Sequence, residues 1–336
     1  MWGSDATKNF FSLIPDRVLD AVESQGVHAT GRCQALGSYE NRVYDVEIES
    51  NGPRPVFKIA KFYRPGRWTR EQILEEHEFL KELQSYEIPV VAPEEFEGGG
   101  TLREMEGILY TIFPRVGGRS PDELEDSGLR RLGRWMGRIH AVGRTKPFQH
   151  RLKLTPKTYG TQHLEYLLGE GHIPLHYRSR YERAVKEAVG ILTESSLAWG
   201  ESDLIRIHGD AHLGNVLWGP EGMRLVDFDD TLMGPVVQDF WLFLGADPRS
   251  RLPVFLEGYE EFSSFDIRQI RWIEALRLLR FVHYTAWVAR RWTDPSFPRA
   301  FPHFGTESYW AESTDDLERQ LRKIQTDFET TQFHAQ

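Results

Sequence analysis

The stretch His208-Gly209-Asp210-Ala211-His212-Leu213-Gly214-Asn215-Val216-Leu217-Trp218, followed by Leu225-Val226-Asp227-Phe228-Asp229, decides how the chain is read. Asp210 and Asn215 lie five residues apart on one loop, and Asp227 ends the next apolar run. They supply a carboxylate that can take a hydroxyl proton, plus an amide oxygen and a second carboxylate suited to a hard cation such as Mg²⁺. Phosphoryl transfer asks a protein for these parts, because its catalysis is mostly positioning and charge neutralisation. An aspartate five residues before an asparagine is, alone, an ordinary solvated loop. The flanking His208 and Gly209 and the strand-end place of Asp227 give the trio its meaning.

Upstream of this motif the chain is rich in strands. Arg42 to Ile48 alternates apolar and polar residues, Asn51-Gly52-Pro53 turns the chain, and Val56 to Phe62 returns. Lys61 lies inside that apolar run, where a charge needs a reason. A helix is expected from about Thr69 to Ser85, a hairpin turn at Gly98-Gly99-Gly100, and a third strand from Ile108 to Phe113. Beyond Pro114 and Gly117-Gly118 the pattern becomes helical, over Asp126–Val142, Tyr177–Leu197 and Arg268–Arg291. Residues 147 to 174 read as loop, and Leu204–Ile207 and Arg224–Asp227 as short strands. The fold class expected is α+β: a strand-rich lobe over residues 1–114 and a helical lobe over 115–336, with a cleft between them.

Composition narrows the function. The 336 residues are 40% apolar and 27% charged, with a net charge of -9, ordinary for a globular chain. Net acidity argues against nucleic acid or an anionic membrane as partner. The single cysteine, Cys33, permits no internal disulfide and fits a reducing cytoplasm. No signal peptide is visible, and Glu274, Arg277, Arg280 and His283 exclude the apolar run Ile273–Val288 as a membrane span.

The pattern His-Gly-Asp-x-His-x-Gly-Asn, with an apolar-Asp-Phe-Asp segment after it, resembles the aminoglycoside-phosphotransferase and choline-kinase branch of the kinase-like superfamily. Within that branch several stretches resemble the bacterial stress response kinase A (YihE/RdoA) family: Asn41-Arg42-Val43-Tyr44 after Ser38-Tyr39-Glu40, Lys61-Phe62-Tyr63-Arg64-Pro65 with Arg67-Trp68, and Ile73-Leu74-Glu75-Glu76-His77. Phe113-Pro114 with Val116-Gly117-Gly118-Arg119 and Arg291-Trp292-Thr293-Asp294-Pro295 extend the likeness over about residues 10 to 310. The resemblance implies a two-lobed protein-kinase-like fold and ATP- and Mg²⁺-dependent phosphorylation of serine or threonine on protein substrates, by a monomer in bacterial stress response. It makes Asp210 the catalytic base and Asn215 and Asp227 the metal ligands. Lys61 would meet the ATP phosphates with Glu76 as its helix partner, Glu75 being the rival. Ser38 would lie in the nucleotide-covering loop, and Ile112 and Phe113 in the adenine hinge. Asp239 would brace the catalytic loop.

The chain departs from the eukaryotic kinase pattern. Gly209 replaces an arginine, no Ala-Pro-Glu follows, and Asp227-Phe228-Asp229 replaces Asp-Phe-Gly. His212 would either help neutralise the phosphate or brace its loop. Asp229 and Asp230 would add to metal binding or form an acidic turn. His77, His140 and His283 read as core or helix-face residues. Two other functions remain open. A small-molecule kinase for an amino alcohol, sugar or antibiotic would use the same catalytic residues, and only its acceptor pocket would differ. A pseudokinase would lack the base or a metal ligand, and this chain lacks neither.

Overall fold

Tyr44, Val46 and Ile48 are buried while the residues between them are not, the period-two signature of a strand with one face on a core. The computed structural model describes residues 5–194, 198–220, 222–245 and 248–333. In chain order its elements begin with α1 (Asp5–Phe11), α2 (Pro15–Glu23), β1 (Ala29–Leu36), β2 (Arg42–Ile48), β3 (Val56–Phe62), α3 (Arg70–Ser85), β4 (Arg103–Met105) and β5 (Ile108–Pro114). They continue with α4 (Asp126–Gly143), α5 (Gln162–Gly169), α6 (Leu175–Glu194), β6 (Leu204–Ile207), β7 (Val216–Gly219), β8 (Gly222–Leu225) and β9 (Leu232–Pro235). Last come α7 (Pro248–Tyr259), α8 (Ile273–Arg290), α9 (Ser296–Ala300) and α10 (Glu307–Phe333).

The chain divides into two compact units. One comprises Met1–Glu125, Gln149–Arg151 and His212–Thr231; the other comprises Asp126–Phe148, Leu152–Ala211 and Leu232–Gln336. In the first, an antiparallel five-stranded sheet has the order β1-β2-β3-β5-β4. Phe10, Val18 and Val22 from α1 and α2 share its core with Val46, Phe62 and Ile112. A capping box starts α3: Thr69 Oγ1 accepts from Gln72 N at 3.3 Å, and Gln72 Oε1 accepts from Thr69 N at 2.9 Å. The hairpin turn between β4 and β5 is Glu106-Gly107, both at positive φ, rather than the glycine triplet. Gly98 to Gly100 form a separate tight loop closed by the Phe96 N to Gly100 O bond. The region expected to be loop carries α5. Of the helix expected to reach Leu197, residues 195–197 lie outside the described residues. Among the described residues no helix is long and apolar enough to cross a membrane.

In the second unit α4 and α7 approach backbone to backbone. A Cβ on Gly133 would lie 2.1 Å from the Phe255 carbonyl oxygen, and one on Gly137 2.5 Å from that of Tyr259. Backbone cannot yield as a flexible side chain can, so Gly133→Ala is expected to lower stability by ~1–3 kcal/mol through overpacking. A thermal melt measures this, and an unchanged midpoint would contradict the close approach.

Candidate active site

Lys61 stands on β3, the middle strand of the sheet, with its side chain 8% exposed. A buried ammonium is costly unless paired, and the first unit surrounds it with carboxylates. Nζ lies 2.8 Å from Asp229 Oδ1, 3.5 Å from Glu76 Oε1 and 3.8 Å from Asp227 Oδ1. Burial disfavours the charge on Lys61, but Asp229 and Glu76 outweigh it and hold the amine well above its ordinary pKa.

Glu76 shares the buried face of α3 with Ile73, Leu80 and Leu83, which puts its carboxylate inside. Its second oxygen accepts from Arg151 Nη2 at 2.7 Å. Arg151 also donates from Nη1 to Asp229 O at 2.6 Å and from Nε to Gln72 O at 2.7 Å. Glu75 plays another part. Its carboxylate accepts from the backbone N–H of Gln149, His150 and Arg151, fixing the segment that delivers Arg151. The structure thus pairs Lys61 with Glu76, not Glu75.

Asp229 is the most heavily paired acid of the cluster. Besides Lys61 it accepts from Asn41 Nδ2 at 3.1 Å and Trp68 Nε1 at 3.4 Å, and it lies 3.2 Å from Arg67 Nη1. Burial pushes its carboxyl up, but Lys61 and Arg67 overcome that and hold it far below the usual carboxylate range. This carboxylate is paired with two protein cations, Lys61 and Arg67. Asn41, whose Oδ1 accepts from Arg64 N at 3.2 Å, ties the segment after Ser38 to the same cluster.

Asp227 differs from its neighbours. Its side chain is 58% exposed, and its backbone is left-handed at φ 61° and ψ 64°. Such a conformation costs a non-glycine residue ~1–3 kcal/mol and persists where the surrounding structure imposes it. Phe228 supplies part of that constraint, being buried and edge-on to Phe79 of α3 with centroids 6.1 Å apart. Asn215 ends a short 3₁₀ turn, where its carbonyl accepts from Val226 N at 3.0 Å and its N–H donates to His212 O at 2.9 Å. The β7–β8 pairing therefore sets Asn215 beside the residue preceding Asp227. His212 Nδ1 accepts from Gly214 N at 3.0 Å, so this histidine braces its loop.

Ser38 Oγ accepts from Asn41 N at 3.4 Å. Ile112 is wholly buried and its carbonyl accepts from Glu94 N at 2.8 Å, while Phe113 is partly exposed near the end of β5.

In the second unit the loop bearing Asp210 hangs on Asp239. This fully buried acid accepts from His208 N at 2.8 Å, from Gly209 N at 2.9 Å, and makes a 3.1 Å contact with His140 Nε2. Gly209 has φ +88°, which favours glycine where eukaryotic kinases carry arginine. Asp210 N donates to His208 Nδ1 at 3.3 Å, and Arg280 Nη2 lies 2.9 Å from Asp210 Oδ1. Sequence reasoning gives no role to Arg67, Arg151 or Arg280. Each acts on a partner at least 70 residues away, except where Arg67 meets Glu40 at 2.8 Å.

His77, one residue after Glu76, contacts Tyr63 Oη through Nε2 at 2.9 Å and Thr101 Oγ1 through Nδ1 at 2.8 Å. Burial, then the charges of Lys61 and Arg151, lower its pKa from 6.5 to about 3. The unfolded chain takes up this proton first. The stabilising contribution is therefore complete above pH 6.5 and declines as pH falls toward about 3. His163 in the second unit behaves likewise. Urea unfolding between pH 7.5 and 4.5 should accordingly show a shallower pH slope in His77→Gln than in the wild type, and equal slopes would contradict the assignment.

Comparison with known proteins sets this geometry in a family. The profile of the Phosphotransferase enzyme family matches residues 32–273. Stress response kinase A of Escherichia coli strain K12 is 39% identical over 320 residues, spanning 94% of this chain and 95% of that protein. The Salmonella typhimurium protein named serine/threonine protein kinase RdoA is 38% identical over 323 residues, spanning 95% and 96%. Among solved structures, amicoumacin kinase hAmiN, in complex with AMP-PNP, Ca²⁺ and Ami, matches with a TM-score of 0.72 at 17% identity, covering 91% of this chain and 93% of that one. The microcompartment-associated aminopropanol kinase matches with a TM-score of 0.67 at 18% identity, covering 93% and 98%. At such identities the structures show the fold alone, and it is the α+β kinase-like fold expected from the sequence. Matched by the profile over well over half its length, and by stress response kinase A almost end to end, the chain belongs to the phosphotransferase enzyme family and, within it, to the stress response kinase A family of kinases.

Proposed function

We propose that this kinase transfers the γ-phosphate of ATP to serine or threonine hydroxyls of proteins, working as a monomer in the cytoplasm. The observation that carries the chemistry is the buried Lys61, held by Asp229 and Glu76 within 3.8 Å of an exposed, strained Asp227. The protein acceptor is supported by the near full-length likeness to the relative named serine/threonine protein kinase RdoA.

In this reading Lys61 orients the phosphates, while Glu76 and Asp229 keep its ammonium fixed and charged. The segment at Ser38 covers the nucleotide and the backbone at Phe113 receives adenine, since the Ile112 carbonyl is already engaged by Glu94. Asp227 and Asn215 offer a carboxylate and an amide oxygen, donors that fit a hard cation. Among the described residues no three His, Cys, Asp or Glu side chains form a metal-holding group. That fits Mg²⁺, which usually takes one or two protein ligands alongside phosphate oxygens. When bound, the ion neutralises charge on the phosphates. Asp210 accepts the acceptor's hydroxyl hydrogen and aligns its oxygen for attack on the γ-phosphorus, and ADP leaves with the electrons of the broken P–O bond.

The experiment is Mg²⁺-dependent ATP consumption with a mixture of denatured proteins on one side, and with choline, homoserine and an aminoglycoside on the other. Stimulation by protein is expected. Stimulation by a small hydroxyl compound alone would replace the protein acceptor with a small molecule.

A further inference from the structure

The proposed base has a cationic partner within its own unit. Arg280 on α8 reaches Asp210 Oδ1 through Nη2 at 2.9 Å, with side-chain exposures of 35% and 27%. Among the described residues this is the only ionic or hydrogen-bond contact that Arg280 makes, so most of its five N–H donors stay unengaged. Other arginines on the helix are differently placed. Arg277 pairs with Glu274 at 3.2 Å and lies over the Trp241 ring, and Arg290 donates to His163 Nδ1 at 2.8 Å.

An arginine against a carboxylate restrains it and fixes its direction. Phosphoryl transfer is compatible with this, because its demand is chiefly for alignment of the nucleophile. An acceptor hydroxyl received by the Asp210 carboxylate therefore lies near Arg280. A hydroxyl hydrogen-bonded to that carboxylate, at ~2.7 Å, sits within roughly 5–7 Å of the guanidinium. Any acceptor therefore arrives beside a fixed positive charge with donors to spare. An amino alcohol or polyamine would meet like-charge repulsion, whereas a nearby carboxylate on the acceptor would gain charge-assisted hydrogen bonds. Tyr284, one turn further on the same face, is 45% exposed and stacks on Trp287 with centroids 5.8 Å apart, giving a peptide an aromatic surface to lie on.

We infer that Arg280 selects the acceptor, directing the kinase to serine or threonine hydroxyls flanked within two residues by Asp or Glu, and away from cationic acceptors. The inference rests on the reading of Asp210 as the base.

Three synthetic peptides test it, identical except that the residues flanking one serine are Asp, Gln or Lys. For the wild type, kcat/KM should fall from Asp to Gln to Lys by about fivefold at each step, the scale of a partly exposed ion pair. Arg280→Gln should bring the three within about twofold of one another, and Arg280→Lys should keep the order. A uniform loss on all three peptides in Arg280→Gln, with the order kept, would make Arg280 only a positioning residue for Asp210 and overturn the inference. So would a wild type that labels all three equally. Absence of label on every peptide, with small hydroxyl compounds phosphorylated instead, would remove the protein-acceptor reading and this inference with it.

Discussion

Asp210→Ala is expected to lower turnover at least about a hundredfold while nucleotide affinity stays within about twofold of the wild type. The loop that carries Asp210 is held by its backbone, since Asp239 binds the N–H groups of His208 and Gly209 and contacts His140. Removing the Asp210 carboxylate leaves those bonds in place and releases Arg280. The loss should therefore fall on kcat. Asp227→Asn should behave in the opposite way. Asparagine tolerates the left-handed backbone that Asp227 adopts, so the fold should survive. The lost charge should weaken Mg-nucleotide binding itself, which isothermal titration can measure. Equal losses of nucleotide affinity in both variants would contradict this division of labour.

The second large effect is on stability. Asp229→Ala is expected to destabilise the protein by ~3–5 kcal/mol, the scale of breaking a buried ion pair from one side. The change strips Lys61 of its 2.8 Å partner, takes an acceptor from Asn41 and Trp68, and leaves Arg67 with less compensation. Asp230→Ala should cost far less, ~1 kcal/mol or below, because Asp230 is 35% exposed and water can replace it. The sign of the pH dependence follows from the depressed carboxyl of Asp229. Its contribution is complete above the unfolded-state pKa of 3.8 and declines as pH falls below that value, because the unfolded chain then binds the proton that the folded state refuses. Wild type and Asp229→Ala should differ by a constant amount at neutral pH and converge in acid. Denaturant titrations at pH 7 and pH 3 would show it, and a gap that widened in acid would be inconsistent with a depressed carboxyl.

Much of this arrangement is legible in the sequence, and the limits have physical causes. β2, β3, β5, α3 and α4 announce themselves through alternation, turns or an amphipathic stripe. β1 does not, because six of its eight residues are exposed and no apolar alternation marks it. The choice between Glu75 and Glu76 cannot be made without the helix phase, which depends on how α3 seats Ile73 and Leu80. Asp229 reads as a candidate metal ligand because its cationic partners, Lys61 and Arg67, lie some 160 residues earlier in the chain. Arg151 gives no signal at all: it sits in a stretch without periodicity, and only the capping of that stretch by Glu75 delivers it to Glu76. Arg280 is visible as a charge interrupting an apolar run, which excludes a membrane span but gives no hint of its partner.

The most direct test is a single-turnover incubation of the purified chain with Mg²⁺, γ-labelled ATP and a protein mixture, followed by phosphoamino-acid analysis, with Asp210→Ala run beside it. Label on serine or threonine that is lost in the variant is expected. Equal label in both would remove Asp210 as the base.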